Sequence, residues 1–238
     1  MNMFDIFHEI IRSINNDQIP NINPTEIYNE GWMTRLLVYI SLKQKIKLSN
    51  YLDFSQVRNW TSEGLISSPF ISAKKNREGY THADMVLGDF EVNYRMKGQI
   101  KVFDKAKLFG IIEAKMGSNL SQGTSYAKNK YNQASRNLAC ISYNSHNSCK
   151  TFFVVVAPET MIEKHRIEKQ IRKEFLIKQI KRRYELSELP LDNDLIDRAQ
   201  KCETYVLSYE YWISLLDGKD KSNIKEFYNN CRIWNRLE

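Results

Sequence analysis

The chain is short of cysteine, glycine and proline, and each shortage excludes something. Its four cysteines, Cys140, Cys149, Cys202 and Cys231, form no Cys-x-x-Cys pair, so neither a disulfide framework nor a zinc ribbon is expected and a reducing cytoplasm is the expected setting. Nine glycines and five prolines are too few and too scattered for a linker, a collagen-like segment or a low-complexity tract. No internal repeat occurs at solenoid periods. Long apolar runs are missing as well. The longest, 152–157, falls far below the roughly 18 residues of a spanning helix, so no membrane association is expected. Residues 1–7 contain Asp5 and lack a basic start, unlike a secretory signal. The histidines, His8, His82, His146 and His165, share no metal-ligand spacing. Phosphate loops, dinucleotide fingerprints, G-x-S-x-G elbows and H-E-x-x-H motifs are likewise missing from the sequence.

What is present can fill a core. Of 238 residues 42% are apolar, and no shift in composition marks a boundary, so a single domain over 1–238 is expected. Lys and Arg number 35 against 28 Asp and Glu, a formal charge of +7. That excess leans toward polyanionic partners, since neutralised phosphates release counterions.

The pattern is helical at first. Phe4, Phe7, Ile10, Ile11 and Ile14 give a short amphipathic helix, and Asn23, Pro24 and Glu26 form a start signal for a helix over 23–48. Residues 50–80, with Trp60, Gly64, Pro69 and the cluster Lys74, Lys75 and Arg77, suit a loop. The period then becomes two. Short strands are expected at 85–87 and 90–96, a turn at Lys97-Gly98, a return strand at 100–102 and a more buried strand over 108–115. A helix over 125–143 and a β-branched strand over 151–157 follow. A long charged helix is expected over 159–185, then a helix at 192–201, a strand at 204–209 and helices around Trp212 and Phe227.

Chemistry falls to the carboxylates. Glu113 ends the apolar run 108–112, where an unpaired charge costs several kcal/mol. Alternation puts Lys115 on its face of the strand. Asp84 stands beside Met85, Val86 and Leu87, and Glu30 interrupts a helical stripe of Ile27, Met33, Leu37 and Ile40. Together these inward acids exceed what one lysine neutralises, which suits a hard divalent ion. Taken singly, each has an ordinary reading: an ion pair for Glu113 with Lys115, a strand-end acid for Asp84, a half-buried helix acid for Glu30. The triplet Glu113-Ala114-Lys115 means little alone, because a chain of this composition holds two or three acid-x-Lys triplets by chance, roughly, and Asp217-Gly218-Lys219 is another.

In combination, a strand Asp, a Glu-x-Lys ending a later buried strand and an upstream helical Glu resemble the PD-(D/E)XK nuclease superfamily over about 23–158. The resemblance implies an α/β fold: a central mixed β-sheet of about four to five strands flanked by helices, a restriction-endonuclease-like core, with a helical C-terminal extension over 159–238. It implies Asp84, Glu113 and the Ala114 carbonyl as ligands of Mg²⁺, for which Mn²⁺ can substitute. Lys115 would hold or deprotonate the attacking water. Glu30 would bind a second ion or orient a water, and Gln133 would face the site from the next helix. Arg136, Lys128, Lys130, Lys74, Lys75 and Arg77 are the candidate nucleic-acid contacts. Ala83 replaces the family's proline, and Asn137 stands where the exonuclease-like branch carries tyrosine. The expected function is metal-dependent hydrolysis of nucleic acid by a cytoplasmic endonuclease of a restriction or antiphage system. DNA is the first candidate substrate and RNA the second, with a homodimer or partner protein engaged through the C-terminal region. The competing readings are an inactive nucleic-acid-binding or partner-binding module of the same fold, and an oligomerisation or signalling domain with incidental acids.

Overall fold

The computed structural model describes residues 3–15, 22–121 and 131–237. Among them lie seven strands: β1 (Asn59–Ser67), β2 (Tyr80–Gly88), β3 (Phe90–Asn93), β4 (Gln99–Val102), β5 (Leu108–Ala114), β6 (Lys150–Ala157) and β7 (Glu203–Ser208). They form one mixed sheet in the order β3-β4-β1-β2-β5-β6-β7. β1, β2 and β5 run antiparallel in turn, while β5, β6 and β7 are parallel. The architecture is α/β as expected, but the sheet is larger than four to five strands, for two reasons. The segment 50–80, expected to be a loop, contains β1, and the strand of the C-terminal extension, β7, pairs with β6 and joins the central sheet.

The expected burial of β5 on both faces holds, because every residue from Leu108 to Ala114 is buried. Gly110 is required there: a Cβ at this position would come within 2.5 Å of the Phe152 ring on β6. The short strand at 85–87 is the latter part of a nine-residue strand. The hairpin after it turns at Lys97-Gly98, both in the left-handed region, but Tyr94–Met96 is a 3-10 turn rather than strand.

The first helix, α1, spans Met3–Arg12. Asn23 and Pro24 do start a helical turn, a 3-10 turn over Pro24–Glu26 capped by the Asn23 side chain. The helix itself, α2 (Glu30–Gln44), restarts at a second cap, where Asn29 accepts from the Trp32 amide. Glu30 is therefore its first residue rather than a mid-helix one. The helix expected over 125–143 is α3 (Gln133–Asn144); residues 122–130 lie outside the described ones. The single long helix expected over 159–185 is broken into α4 (Glu159–His165), α5 (Ile167–Gln170) and α6 (Lys173–Ser187). Arg166, at φ 50°, makes the first break. Three helices follow, α7 (Asn193–Lys201), α8 (Tyr209–Ser214) and α9 (Gly218–Trp234).

α2 packs on β2 and β5 and against α9, while α3 packs on β1, β2, β5 and β6 and against α6 and α7. The two halves of the chain share one core. The Trp212 indole N–H donates to Ser41 Oγ at 2.8 Å, and Lys43 pairs with Asp220 at 3.1 Å. Among the described residues no helix is long and apolar enough to cross a membrane.

Candidate active site

The ladder between β2 and β5 ends at Met85 and Ile112. Asp84 and Glu113 are the next residue on each strand, just where backbone pairing stops. There the Ala114 amide, released from the ladder, donates instead to Asp84 Oδ2 at 2.7 Å. One strand thus fixes the other's carboxylate through the backbone of the Glu-x-Lys triplet. A buried N–H would otherwise go unpaired at this split.

Glu113 is fully buried, and three N–H donors hold it. Lys115 Nζ and Gln133 Nε2 both reach Oε1 at 2.5 Å, and Asn137 Nδ2 reaches Oε2 at 2.8 Å. Lys115 leaves only 11% of its side chain exposed, so this ion pair is largely shielded from water. The strand face read from the sequence is the one observed. Gln133 and Asn137, four residues apart at the start of α3, share a helix face and grip both oxygens.

Electrostatics set this carboxylate apart. Burial chiefly, and the neighbouring Asp84 second, raise its pKa to about 8, while Lys115 pulls the other way. Three N–H donors suit a carboxylate, yet burial and a second acid oppose its charge. An added cation would relieve that conflict.

Glu30 and Asp84 are also close enough to Tyr209 for both to raise the affinity of its buried hydroxyl for its proton, burial being the larger cause. That hydroxyl lies 3.1 Å from Thr34 Oγ1, which donates to the Glu30 carbonyl at 2.7 Å. Tyr209 opens α8, directly after β7. The C-terminal part of the chain therefore reaches the acids. Sequence reasoning missed Tyr209, Thr34 and the contact of Asn137 with Glu113; the Asn137 contact had a signal in its spacing from Gln133.

The remaining candidates lie elsewhere or outside the described residues. Arg136 stands beside Glu78, whose proton affinity burial raises against the opposing influence of Ser68, Arg136 and Arg183. Lys74, Lys75 and Arg77 are exposed in the loop before β2, where Lys75 pairs with Glu188 at 2.5 Å and Asn76 donates to the Leu186 carbonyl. Lys128 and Lys130 fall within residues 122–130.

A divalent ion fits the donor chemistry in one respect and not in another. Among the described residues no three His, Cys, Asp or Glu side chains gather into a metal-holding group. Asp84 and Glu113 nevertheless offer two adjacent carboxylates, the number with which Mg²⁺ is commonly held when waters and substrate phosphates supply the rest. No family model matches the chain, and no curated protein or solved structure matches it.

Proposed function

We propose that the chain is a metal-dependent nuclease of the PD-(D/E)XK type, an endonuclease hydrolysing phosphodiester bonds in DNA before RNA and serving restriction or antiphage defence in the cytoplasm. One observation supports this above the others. Glu113 is a buried carboxylate, held by Lys115, Gln133 and Asn137, with Asp84 close enough to raise its proton affinity. Beyond pairing the Ala114 amide, the second acid adds negative charge beside a carboxylate whose charge burial already opposes, which a bare ion pair does not need.

On this reading Asp84 and Glu113 hold Mg²⁺ or Mn²⁺, with the Ala114 carbonyl as a further oxygen. The ion supplies charge neutralisation at the phosphate and an acidified water. The protein groups do the rest. The Ala114 amide fixes the Asp84 carboxylate, and Gln133 and Asn137 stop Glu113 from rotating. Lys115, anchored on Glu113, presents its ammonium to the attacking water or to a phosphate oxygen. Glu30, one turn before Thr34, orients a water from the helix start.

The test incubates the protein with plasmid, single-stranded DNA and RNA, with MgCl₂ or with chelator, beside Asp84→Ala and Lys115→Ala. Cutting that needs the metal and falls by about 10²–10⁴-fold in both variants is expected. Cutting indifferent to chelator, or no cutting of any of the three with Mg²⁺ or Mn²⁺, overturns the reading.

A further inference from the structure

The surface next to the acids is aromatic and basic, which is unusual for exposed residues. Trp32, two positions after Glu30 on α2, is 44% exposed, and the Arg35 guanidinium lies over its ring at 5.4 Å. Arg35 also reaches Glu63 Oε1 at 3.4 Å. Glu63 sits in β1 between Ser62 and Gly64, which pair with Met85 and Ala83, so it stands across the ladder from Asp84. Two residues on, the Leu65 amide donates to the Gly98 carbonyl at 3.0 Å, which places the β3–β4 turn against the same stretch of β1. That turn carries Tyr94, 77% exposed, with Arg95, Met96 and Lys97 also exposed.

β2 extends the pattern. Exposed Tyr80 and His82 and half-buried Asp84 alternate with buried Thr81, Ala83 and Met85, so an open row of side chains runs along the strand to Asp84. The Tyr80 hydroxyl accepts from Gln99 of β4 at 3.4 Å. β1 is thus a seam between the α2 stack and the hairpin turn, with Asp84 one strand away and β4 two strands from it, about 10 Å.

We infer that this surface receives an unpaired nucleic-acid strand, whose bases stack on Trp32 and Tyr94 as its backbone crosses Asp84. The inference rests on the nuclease reading for where the strand leads, but not for its binding. Flanking the acids of the site, the cations Arg35, Arg95, Lys97 and Lys101 stand against Glu63 and Glu91, which suits phosphate. The rings decide the strand type. A stacking platform gains from a base only when that base is out of its own helix, whereas a duplex meets the protein mainly with phosphates.

The experiment measures binding in chelator, so that no chemistry enters. Fluorescent oligothymidylate of about 20 nucleotides and a hairpin duplex of matched charge are titrated with the wild-type chain at one salt concentration. Trp32→Ala, Trp32→Phe, Tyr94→Ala, Lys97→Ala and, as an exposed aromatic on α6, which packs on α3 and α7, Phe175→Ala are titrated in parallel. The single strand is expected to bind about tenfold tighter than the duplex. Trp32→Ala and Tyr94→Ala should each weaken it about fivefold or more, with Trp32→Phe and Phe175→Ala close to wild type. Lys97→Ala should weaken both probes and reduce the salt slope by about one. Equal or tighter duplex binding, unchanged affinity in both aromatic variants, or no binding of either probe overturns the inference. Selective single-strand binding without metal-dependent cutting would remove the nuclease reading alone. Duplex cutting indifferent to Trp32 and Tyr94 would remove this inference alone.

Discussion

Glu113-Ala114-Lys115 and Asp217-Gly218-Lys219 are the same pattern in two settings. The first ends a buried strand, with its acid and lysine 2.5 Å apart and further donors on both carboxylate oxygens. The second is the exposed start of α9, where Asp217 caps without a side-chain hydrogen bond and Gly218, the first helical residue, takes φ 59°. The Asp217 backbone, not its carboxylate, is engaged there: its amide donates to Gln44 Oε1 at 3.0 Å. Water makes the difference. Exposed charges are solvated individually and owe little to each other, while buried ones are organised by whatever donors surround them.

The contrast is open to measurement. Lys115→Ala should lower metal-dependent cutting by about 10²–10⁴-fold, while Lys219→Ala leaves the rate at wild type; equal effects would erase the distinction. Asn137→Ala removes one donor from Glu113 without touching the Glu-x-Lys triplet, and a loss of about tenfold in the same assay is expected, as for groups that orient a ligand.

Glu113 should also mark the pH dependence of folding. Its folded pKa lies above the ordinary 4.5, so the folded state favours the protonated acid. The stability this contributes is present below about 4.5 and is lost as pH rises through about 8. Thermal melting of the metal-free protein should therefore fall over that window relative to Glu113→Gln, and MgCl₂ should oppose the fall. A wild type whose melting tracks the variant at every pH would place Glu113 among ordinary carboxylates. The smallest effect belongs to Asp217→Ala, expected within about 0.5 kcal/mol of wild type by chemical denaturation.

Much of the sheet's centre was legible because burial on both faces leaves a continuous apolar run, as in 108–112 and 152–157. β1 was not. Only Thr61, Gly64 and Ile66 of its nine residues are buried, Glu63 adopts φ 55° in mid-strand, and Gly64 is forced by the close approach of Val86 and Ile100. Such a strand reads as a loop because its place is set by neighbours distant in sequence. The start of α2 was misplaced since Asn23-Pro24 is the stronger local signal, although Asn29 makes the cap that matters. The breaks around α5 carry no glycine or proline, so nothing in 159–185 announced them. At the site, Glu113 and Lys115 were readable from strand alternation and Gln133 from the resemblance. Tyr209 could not be read, because nothing in its own stretch of chain refers to Asp84 or Glu30.

The pairing of β7 with β6 bears on how this protein could be shortened or recombined. A chain ending after Ala157 would expose the whole flank of an apolar, β-branched strand, an open template for self-association, and would also lose the hydroxyl beside the acids. What looks like a tail is structurally a wall, and a hybrid that exchanged it for foreign sequence would have to rebuild both the sheet margin and the phenol behind the carboxylates.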